Sequence, residues 1–262
     1  MNENEQYHAD TTRISKSGCD LINKTPANYY YKYLDPNRIA EEKSKALIIG
    51  SAFHAYILER DEFNSMFFTL PDFKGKGSRD KKEQFILNNS GRTPLSISDF
   101  QTIVGMAEAL KRHKLANQLL TEHGFAERVF HWTDEETGAP CKCKPDRYNS
   151  ARNIIIDLKS TEDASENDFK FSAKKHRYFV QDPFYTDGMK ANGFDVKGFV
   201  FISVEKKPPY LINCFTYGED EKQFGREQYR ENLKTYVECK KNNKWPGYTQ
   251  EIKDLEIPGV GL

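Results

Sequence analysis

The sequence of 262 residues predicts a mixed α/β domain, in which a central mixed β-sheet is flanked by helices. Two observations support this fold class. Apolar residues follow helical spacing up to about residue 122, and alternation of apolar and polar residues then takes over. No linker-like segment separates the two halves, which favours a single domain over residues 1–262. Within it, we expect N-terminal helices over 1–122, the sheet core with the candidate site over 123–217, and a C-terminal helix and tail over 218–262.

The N-terminal part is predicted to be helical because its apolar residues recur every three or four positions. The first helix has Ser15 or Ser17 as a candidate cap and ends before Pro36. Residues 71–94 are rich in Gly, Lys, Asp and Asn, which predicts a mobile loop with one short helix. The predicted helices span 16–34, 44–60 and 96–122.

The remainder alternates between strand and helix patterns. The turn at 134–138 (DEETG) closes a predicted hairpin, and a second hairpin turns at 206–209. Ile154, Ile155 and Ile156 are β-branched and suit a buried strand. The predicted strands span 127–133, 140–148, 154–160, 198–205 and 210–217. Two further helices are predicted at about 166–192 and at 219–241.

Composition leaves the partner open. Charged residues make up 30% of the chain and the formal net charge is zero, so a nucleic-acid-binding protein of this composition needs its cations on one face. Basic runs at 74–82 and 170–177 could supply such a face or be ordinary solvated surface. No apolar run approaches the roughly 18 residues of a membrane span, and the N-terminus lacks a signal-like apolar stretch. We therefore expect a soluble cytoplasmic protein.

The cysteines argue against a disulfide framework or a zinc site. There are five, an odd number, and no C-x-x-C pair occurs. Cys141 and Cys143 are two residues apart and would share one face of a strand. We interpret them as small buried residues rather than metal ligands.

The main candidate site lies where the third predicted strand ends. Asp157 and Lys159 lie on one face of that strand, roughly 7 Å apart, and Asp146 lies near the end of the preceding strand, across a short turn. If the two strands pair, Asp146 and Asp157 converge. Two converging carboxylates repel, so one tends to hold a proton unless a divalent cation neutralises them. Such a site, with a lysine to steady developing charge, is suited to metal-assisted phosphodiester hydrolysis.

Three residues extend this candidate site. Gln181 and Tyr185 are four apart, so they share one face of a helix, and they are either an ordinary helix surface or contacts to a phosphate. His54 lies in an apolar helix, where a histidine is more often a satisfied core residue, although a neutral imidazole can complete a metal site. Pro183 conflicts with a regular helix here. Either the helix begins near Asp182 or it is kinked.

Taken in order, these motifs resemble the PD-(D/E)xK nuclease superfamily. Within it they are similar to the RecE-type exonucleases (exodeoxyribonuclease VIII catalytic domain). The resemblance spans nearly the whole chain, from Tyr7-His8 to Trp245-Pro246. It rests on Gly50-Ser51-Ala52-Phe53-His54, Pro145-Asp146, Asp157-Leu158-Lys159 and Gln181-x-x-x-Tyr185.

The resemblance implies a role for each matching residue. Lys159 would assist the attacking water or stabilise the pentavalent transition state, and Gln181 and Tyr185 would orient the substrate and the active-site groups. Mg²⁺ is the implied cofactor, with Mn²⁺ as a substitute. Its implied ligands are His54, Asp146, Asp157 and the backbone carbonyl of Leu158.

The resemblance also implies a substrate and partners. It implies 5′→3′ digestion of linear double-stranded DNA that leaves 3′ single-stranded tails, a ring-shaped homo-oligomer around DNA, and a single-strand annealing protein as partner. Arg13, Ser15 and Ser17 lie where related alkaline exonucleases hold a terminal 5′-phosphate, although a serine here can equally be a helix cap.

Two other functions fit the sequence less well. Another nuclease of the superfamily, an endonuclease or an iron–sulfur type, is one. The iron–sulfur type needs clustered downstream cysteines, whereas Cys239 stands alone. The other is a non-catalytic DNA-binding recombination scaffold, against which the intact His54, Asp146, Asp157 and Lys159 argue.

Overall fold

A five-stranded mixed sheet forms the centre of the computed structural model, which describes residues 3–39 and 42–254. Its strand order is β3-β6-β7-β8-β9, and only β7 and β8 are parallel. This confirms the predicted fold class of a mixed sheet flanked by helices. The strands are β3 (Gly124–Ala126), β6 (Arg147–Asn149), β7 (Ile154–Thr161), β8 (Gly198–Glu205) and β9 (Ile212–Phe215).

The central strand β7 separates two apolar cores. Ile155 packs into one core, and Ile156 and Leu158 pack into the other, because side chains alternate along a strand. Helices α2 (Lys16–Lys24), α9 (Glu166–Lys175), α10 (Tyr178–Ala191) and α11 (Glu219–Asn242) cover the first core. Helices α4 (Lys45–Leu58), α7 (Ile97–Arg112) and α8 (Lys114–Thr121) cover the second.

The outer elements include two strand pairs apart from the central sheet. The parallel pair of β1 and β2 was not expected, because the sequence predicts no strand before residue 122. The region 71–94 contains one helix, α6, as predicted, and this helix has 11 residues. The outer elements are α1 (Glu3–Ala9), α3 (Pro26–Tyr33), α5 (Phe63–Met66), β1 (Phe67–Leu70), α6 (Ser78–Asn88), β2 (Thr93–Ser96), β4 (Phe130–Thr133) and β5 (Pro140–Cys143).

Three predicted helices are each divided in two. The first ends at Thr25, which caps the next helix, and Pro26 occupies that helix's first turn, where its missing N–H costs nothing. The region 96–122 is broken at His113, whose side chain caps α8. The region 166–192 is broken at Arg177, a non-glycine residue in the left-handed conformation. No described helix is long and apolar enough to span a bilayer.

The predicted hairpin over 127–133 and 140–148 is also divided. Its outer part is the antiparallel pair β4–β5, and its inner part is the pair of β3 with β6 in the central sheet. Glu127 lies between the two parts with φ +53°, and its N–H donates to the Asp146 carbonyl at 3.0 Å. This break interrupts the predicted strand over 140–148, so that Asp146 follows β5 rather than lying in it.

Pro183 lies inside α10, which begins at Tyr178, so the alternative of a helix start near Asp182 is wrong. Because proline has no N–H, the Phe179 carbonyl lacks its usual partner four residues on. That carbonyl faces Gly225 of α11, where an added Cβ would lie 1.9 Å from the carbonyl oxygen. Only a glycine permits this close approach of the two helices.

Candidate active site

Asp146 and Asp157 converge at the centre of the sheet, as the pairing of their strands requires. Arg147 of β6 pairs with Ile156 of β7, so the residues just beyond that pair, Asp146 and Asp157, face each other. Asp146 Oδ2 accepts a hydrogen bond of 2.7 Å from the Leu158 N–H. The register between these two strands therefore fixes both carboxylates.

Three side chains form a cluster that can bind a metal ion, here called the metal cluster: His54, Glu127 and Asp146. One ligand atom from each lies within 4.8 Å of the others. His54 Nδ1 is 3.4 Å from Asp146 Oδ2. Among the described residues this is the only group of three or more His, Cys, Asp or Glu side chains close enough to hold one ion.

The electrostatics of the metal cluster favour a bound cation. Burial, followed by repulsion from Asp157, raises the pKa of Asp146 to about 8. Burial and repulsion from Asp146 raise the pKa of Glu127 to about 7. Burial lowers the pKa of His54, so its imidazole is neutral and can coordinate. The raised pKa values show that the two carboxylates repel each other when both are ionised. A divalent ion between them and the neutral imidazole would remove this repulsion.

Glu127 is the site residue that the sequence did not reveal. We expected it only to begin a regular hairpin strand over 127–133. Its left-handed backbone and its hydrogen bond to the Asp146 carbonyl direct it to the site instead, and it forms an ion pair with Lys144. An acidic residue opposite Pro145-Asp146, where the two strand patterns break, is the only sequence signal that could have indicated it.

A second set of side chains, here called the lysine cluster, consists of Asp157, Lys159 and Gln181. Lys159 Nζ lies 2.6 Å from Asp157 Oδ2 and donates to Gln181 Oε1 at 3.1 Å. Gln181 Nε2 donates to Asp157 Oδ1. Burial opposes the charge on Lys159, but Asp157, Tyr178 and Asp146 outweigh it and raise the lysine pKa. Asp157 Oδ2 forms an ion pair with Lys159 but accepts no hydrogen bond of regular geometry. It can therefore bind a further ligand.

The remaining predicted residues have mixed placements. Tyr185 lies one turn after Gln181 and interacts electrostatically with Asp157 and Asp146, and burial raises its pKa strongly. The Leu158 backbone lies close enough to His54 to affect the pKa of its imidazole, although burial, which lowers that pKa, dominates. The role of the Leu158 carbonyl as a metal ligand stays a prediction.

Arg13, Ser15 and Ser17 line one small cavity together with Lys142. Ser15 caps α2 by accepting a hydrogen bond from the Gly18 N–H. The interpretation of Ser15 as a helix cap is therefore confirmed. The cavity is separate from both clusters described above.

The free cysteines do not assemble into a metal site. Cys19, Cys141, Cys143 and Cys239 are buried, as we expected for Cys141 and Cys143. Within 3–39 and 42–254, no three cysteine or histidine side chains approach one another as iron–sulfur ligands would.

The family model for the PDDEXK-like domain of unknown function (DUF3799) matches residues 15–256. The chain belongs to this PDDEXK-like family. The match covers most of the sequence and includes both clusters of the candidate site. The chain is therefore a member of the PD-(D/E)xK nuclease superfamily, as the resemblance indicated.

A solved structure agrees with the fold of this PDDEXK-like domain. It is a crystal structure from Eubacterium rectale described as a "Putative exonuclease", with a TM-score of 0.68 and 17% sequence identity. The alignment covers 100% of this chain and 98% of the other. At this identity the similarity establishes the fold alone. No curated protein matches the sequence of this PDDEXK-like domain.

Proposed function

We propose that the protein is a Mg²⁺-dependent exodeoxyribonuclease that hydrolyses linear double-stranded DNA in the 5′→3′ direction and releases 5′-phosphorylated products. The observation that carries this proposal is the convergence of Asp146, which directly precedes β6, on Asp157 and Lys159 of β7. His54 and Glu127 lie beside Asp146. Membership of the PD-(D/E)xK superfamily supports the nuclease chemistry.

Each side chain then has a task at the scissile phosphate. His54, Glu127 and Asp146 would hold the divalent ion, with Asp157 Oδ2 as a further ligand. The ion supplies Lewis-acid polarisation of the phosphate and activation of water. Lys159 lies next to Asp157 and contributes positive charge where negative charge develops on the phosphate oxygens.

Gln181 and Tyr185 act from helix α10. Gln181 holds both Asp157 and Lys159 through one amide group, which fixes their relative orientation. Tyr185 is half-buried beside the same acids and keeps its phenol proton, since burial raises its pKa strongly. A protonated phenol can donate a hydrogen bond to a phosphate oxygen without adding negative charge.

The end of the DNA strand is the second part of the proposal. Arg13, Ser15 and Ser17 form a small cavity with Lys142, whose Nζ donates to the Asp10 carbonyl at 2.5 Å. Two cations and two hydroxyls suit a terminal 5′-phosphate. A nuclease that holds this group at one end of its substrate moves from the 5′ end and leaves a 3′ single-stranded tail.

A ring-shaped homo-oligomer and a single-strand annealing protein complete the proposal. Both rest on the resemblance to RecE-type exonucleases. Sedimentation velocity of the purified chain, alone and with linear duplex DNA, tests the oligomer.

A gel assay on linear duplex DNA labelled at the 5′ or the 3′ end, with Mg²⁺, tests activity and direction together. We expect mononucleotide release from the 5′ label first, and faster digestion of 5′-phosphorylated than of dephosphorylated ends. Arg13→Ala should abolish the preference for the phosphate and retain slow digestion. Intact DNA under all metals, or equal cleavage of closed circles, contradicts an exonuclease.

A further inference from the structure

The junction between α9 and α10 is held by charged side chains from a different helix. Lys16 of α2 is 8% exposed, and its Nζ donates a 2.6 Å hydrogen bond to the His176 carbonyl and lies 2.7 Å from Asp20 Oδ2. Arg177 donates to Asp20 Oδ1 at 3.1 Å and to Asn232 Oδ1 of α11 at 3.1 Å. One junction is thus tied to two helices that are distant from it in sequence.

The junction needs this support. Arg177 has φ +53°, a conformation that is strained for a non-glycine residue and persists only when its surroundings enforce it. Burying the Lys16 ammonium is costly unless it is paired, and both of its partners lie at or beside the junction. These two costs are offset by one set of contacts among Lys16, Asp20 and Arg177.

The junction leads directly to the lysine cluster. The Tyr178 ring, one residue after Arg177, lies with its centroid 4.5 Å from Lys159 Nζ and stacks on Phe201. The Gln181 N–H donates to the Arg177 carbonyl at 3.3 Å, in the first turn of α10. Two of the contacts that orient Lys159, the Tyr178 ring and the Gln181 amide, therefore come from the turn that the junction starts.

We propose that Lys16, Asp20 and Arg177 form a positioning network that fixes the start of α10 and thereby holds Tyr178 and Gln181 against Lys159. The inference rests on the proposed nuclease function for its catalytic consequence. None of the three touches the reacting atoms, so they are positioning residues. A cation–π contact at Lys159 adds orientation to its ion pair with Asp157.

The kinetic experiment uses Lys16→Met, with Lys24→Met as the matched control on the exposed face of the same helix, and Lys16→Arg as the conservative variant. We expect Lys16→Met to lower kcat roughly 10- to 100-fold with KM for DNA little changed, as for a misplaced catalytic group. Mn²⁺ affinity, measured by calorimetry, should be unchanged because the metal cluster is intact. Lys16→Arg, which keeps the positive charge, should retain most of the wild-type kcat.

A second readout is independent of catalysis. With ¹³C-labelled lysine, the Lys159 Cε–Hε resonance, assigned by its loss in Lys159→Arg, should be shifted upfield by the Tyr178 ring. Tyr178→Leu and Lys16→Met should both remove this shift, and Lys24→Met should keep it. If wild-type protein shows no digestion, the proposed function fails, while this resonance still decides the network.

Two outcomes overturn the network. One is a Lys16→Met protein with wild-type kcat and a Lys159 resonance that keeps its upfield shift. The other is a loss of kcat and of Mn²⁺ affinity together, which indicates general damage. If Lys16→Met does not fold, Asp20→Asn replaces it in both experiments, with the same expected results.

Discussion

The two halves of the candidate site differ in how far their charges are satisfied. In the metal cluster, Asp146 and Glu127 are half-buried and close together, and the pKa of each is raised, to about 8 and about 7. In the lysine cluster, Asp157 faces Lys159 and an amide that bonds to both. The first half is unfavourable without a cation, and the second is already organised by the protein alone. The comparison indicates that the ion completes one half of a site whose other half is preformed.

The two halves meet at one peptide. The Leu158 N–H bonds to Asp146, while its neighbours on either side, Asp157 and Lys159, belong to the lysine cluster. Loss of a side chain from the metal cluster should therefore weaken metal binding. Loss of Lys159 from the lysine cluster should instead slow the chemical step.

The largest effect is expected for Asp146→Asn, which removes a metal ligand and keeps an acceptor for the Leu158 N–H. The loss of several kcal/mol of metal assistance corresponds to roughly 10³-fold or more in rate. Digestion of linear duplex DNA should fall to background, and Mn²⁺ binding by calorimetry should weaken strongly. Asp195→Asn, on an exposed surface, is the control. Undiminished Mn²⁺ affinity in Asp146→Asn would show that the metal cluster is misassigned.

Lys159→Met should separate the two halves. Roughly 10²- to 10³-fold of the rate should be lost, as when one preorganised charge partner is removed from a transition state. Metal affinity should be kept or rise slightly, because Asp157 loses its competing cation. Measurement of kcat beside calorimetric Mn²⁺ affinity distinguishes the two effects. A parallel loss of both contradicts the division of the site.

The stability of the metal-free protein should fall as the pH rises. Asp146 holds its proton in the folded state up to about pH 8 but loses it near 3.8 when unfolded, so the folded state binds more protons over this window. Stability from this group is complete below pH 4 and is lost as the pH rises through 8. Melting temperatures measured with a chelator between pH 5 and 8.5 should therefore decline, and Asp146→Asn should flatten the decline.

Added Mg²⁺ or Mn²⁺ should reverse that decline. At an ion concentration 100-fold above Kd, the gain is about 2.7 kcal/mol. For a domain of this size, that corresponds to a rise of roughly 5–10 °C in melting temperature. A melting temperature at pH 8 that is insensitive to both ions would mean that the acids are held by internal contacts instead.

The smallest change in kcat is expected for Gly225→Ala, because this substitution alters no side chain of the metal cluster or the lysine cluster. The new Cβ meets the Phe179 carbonyl, so α11 must move from α10 at a cost of about 1–3 kcal/mol. Denaturant unfolding measures this cost. We expect kcat to change less than in Lys159→Met, and Ala191→Gly, at the exposed end of α10, serves as a control for helix stability.

Sequence reasoning was most reliable where one strand sets the geometry. The isoleucines of β7 and the spacing of Asp157 and Lys159 suffice to predict a buried strand with both side chains on one face, because strand alternation is strict. The pairing that brings Asp146 to Asp157 follows from a short turn. Glu127 could not be found this way, since its position depends on a left-handed residue between two strand pairs, and no pattern in a window of alternating residues signals such a break.

The helix divisions escaped prediction for a similar reason. Thr25, His113 and Arg177 each end a helix within a stretch whose apolar spacing continues across the break. The caps and the left-handed turn that redirect the chain are single-residue events. The positioning network around Arg177 was beyond reach as well, because Lys16 and Asn232 join it from distant parts of the sequence.

Pro183 gives helix α10 an uneven stiffness along its length. The turn from Phe179 to Pro183 lacks one internal hydrogen bond, so we expect any bending of the helix to concentrate there. Gln181 lies within this turn, and Tyr185 lies beyond it. The contacts of Lys16, Asp20 and Arg177 at the helix start therefore support the turn of α10 that has the weakest internal bonding.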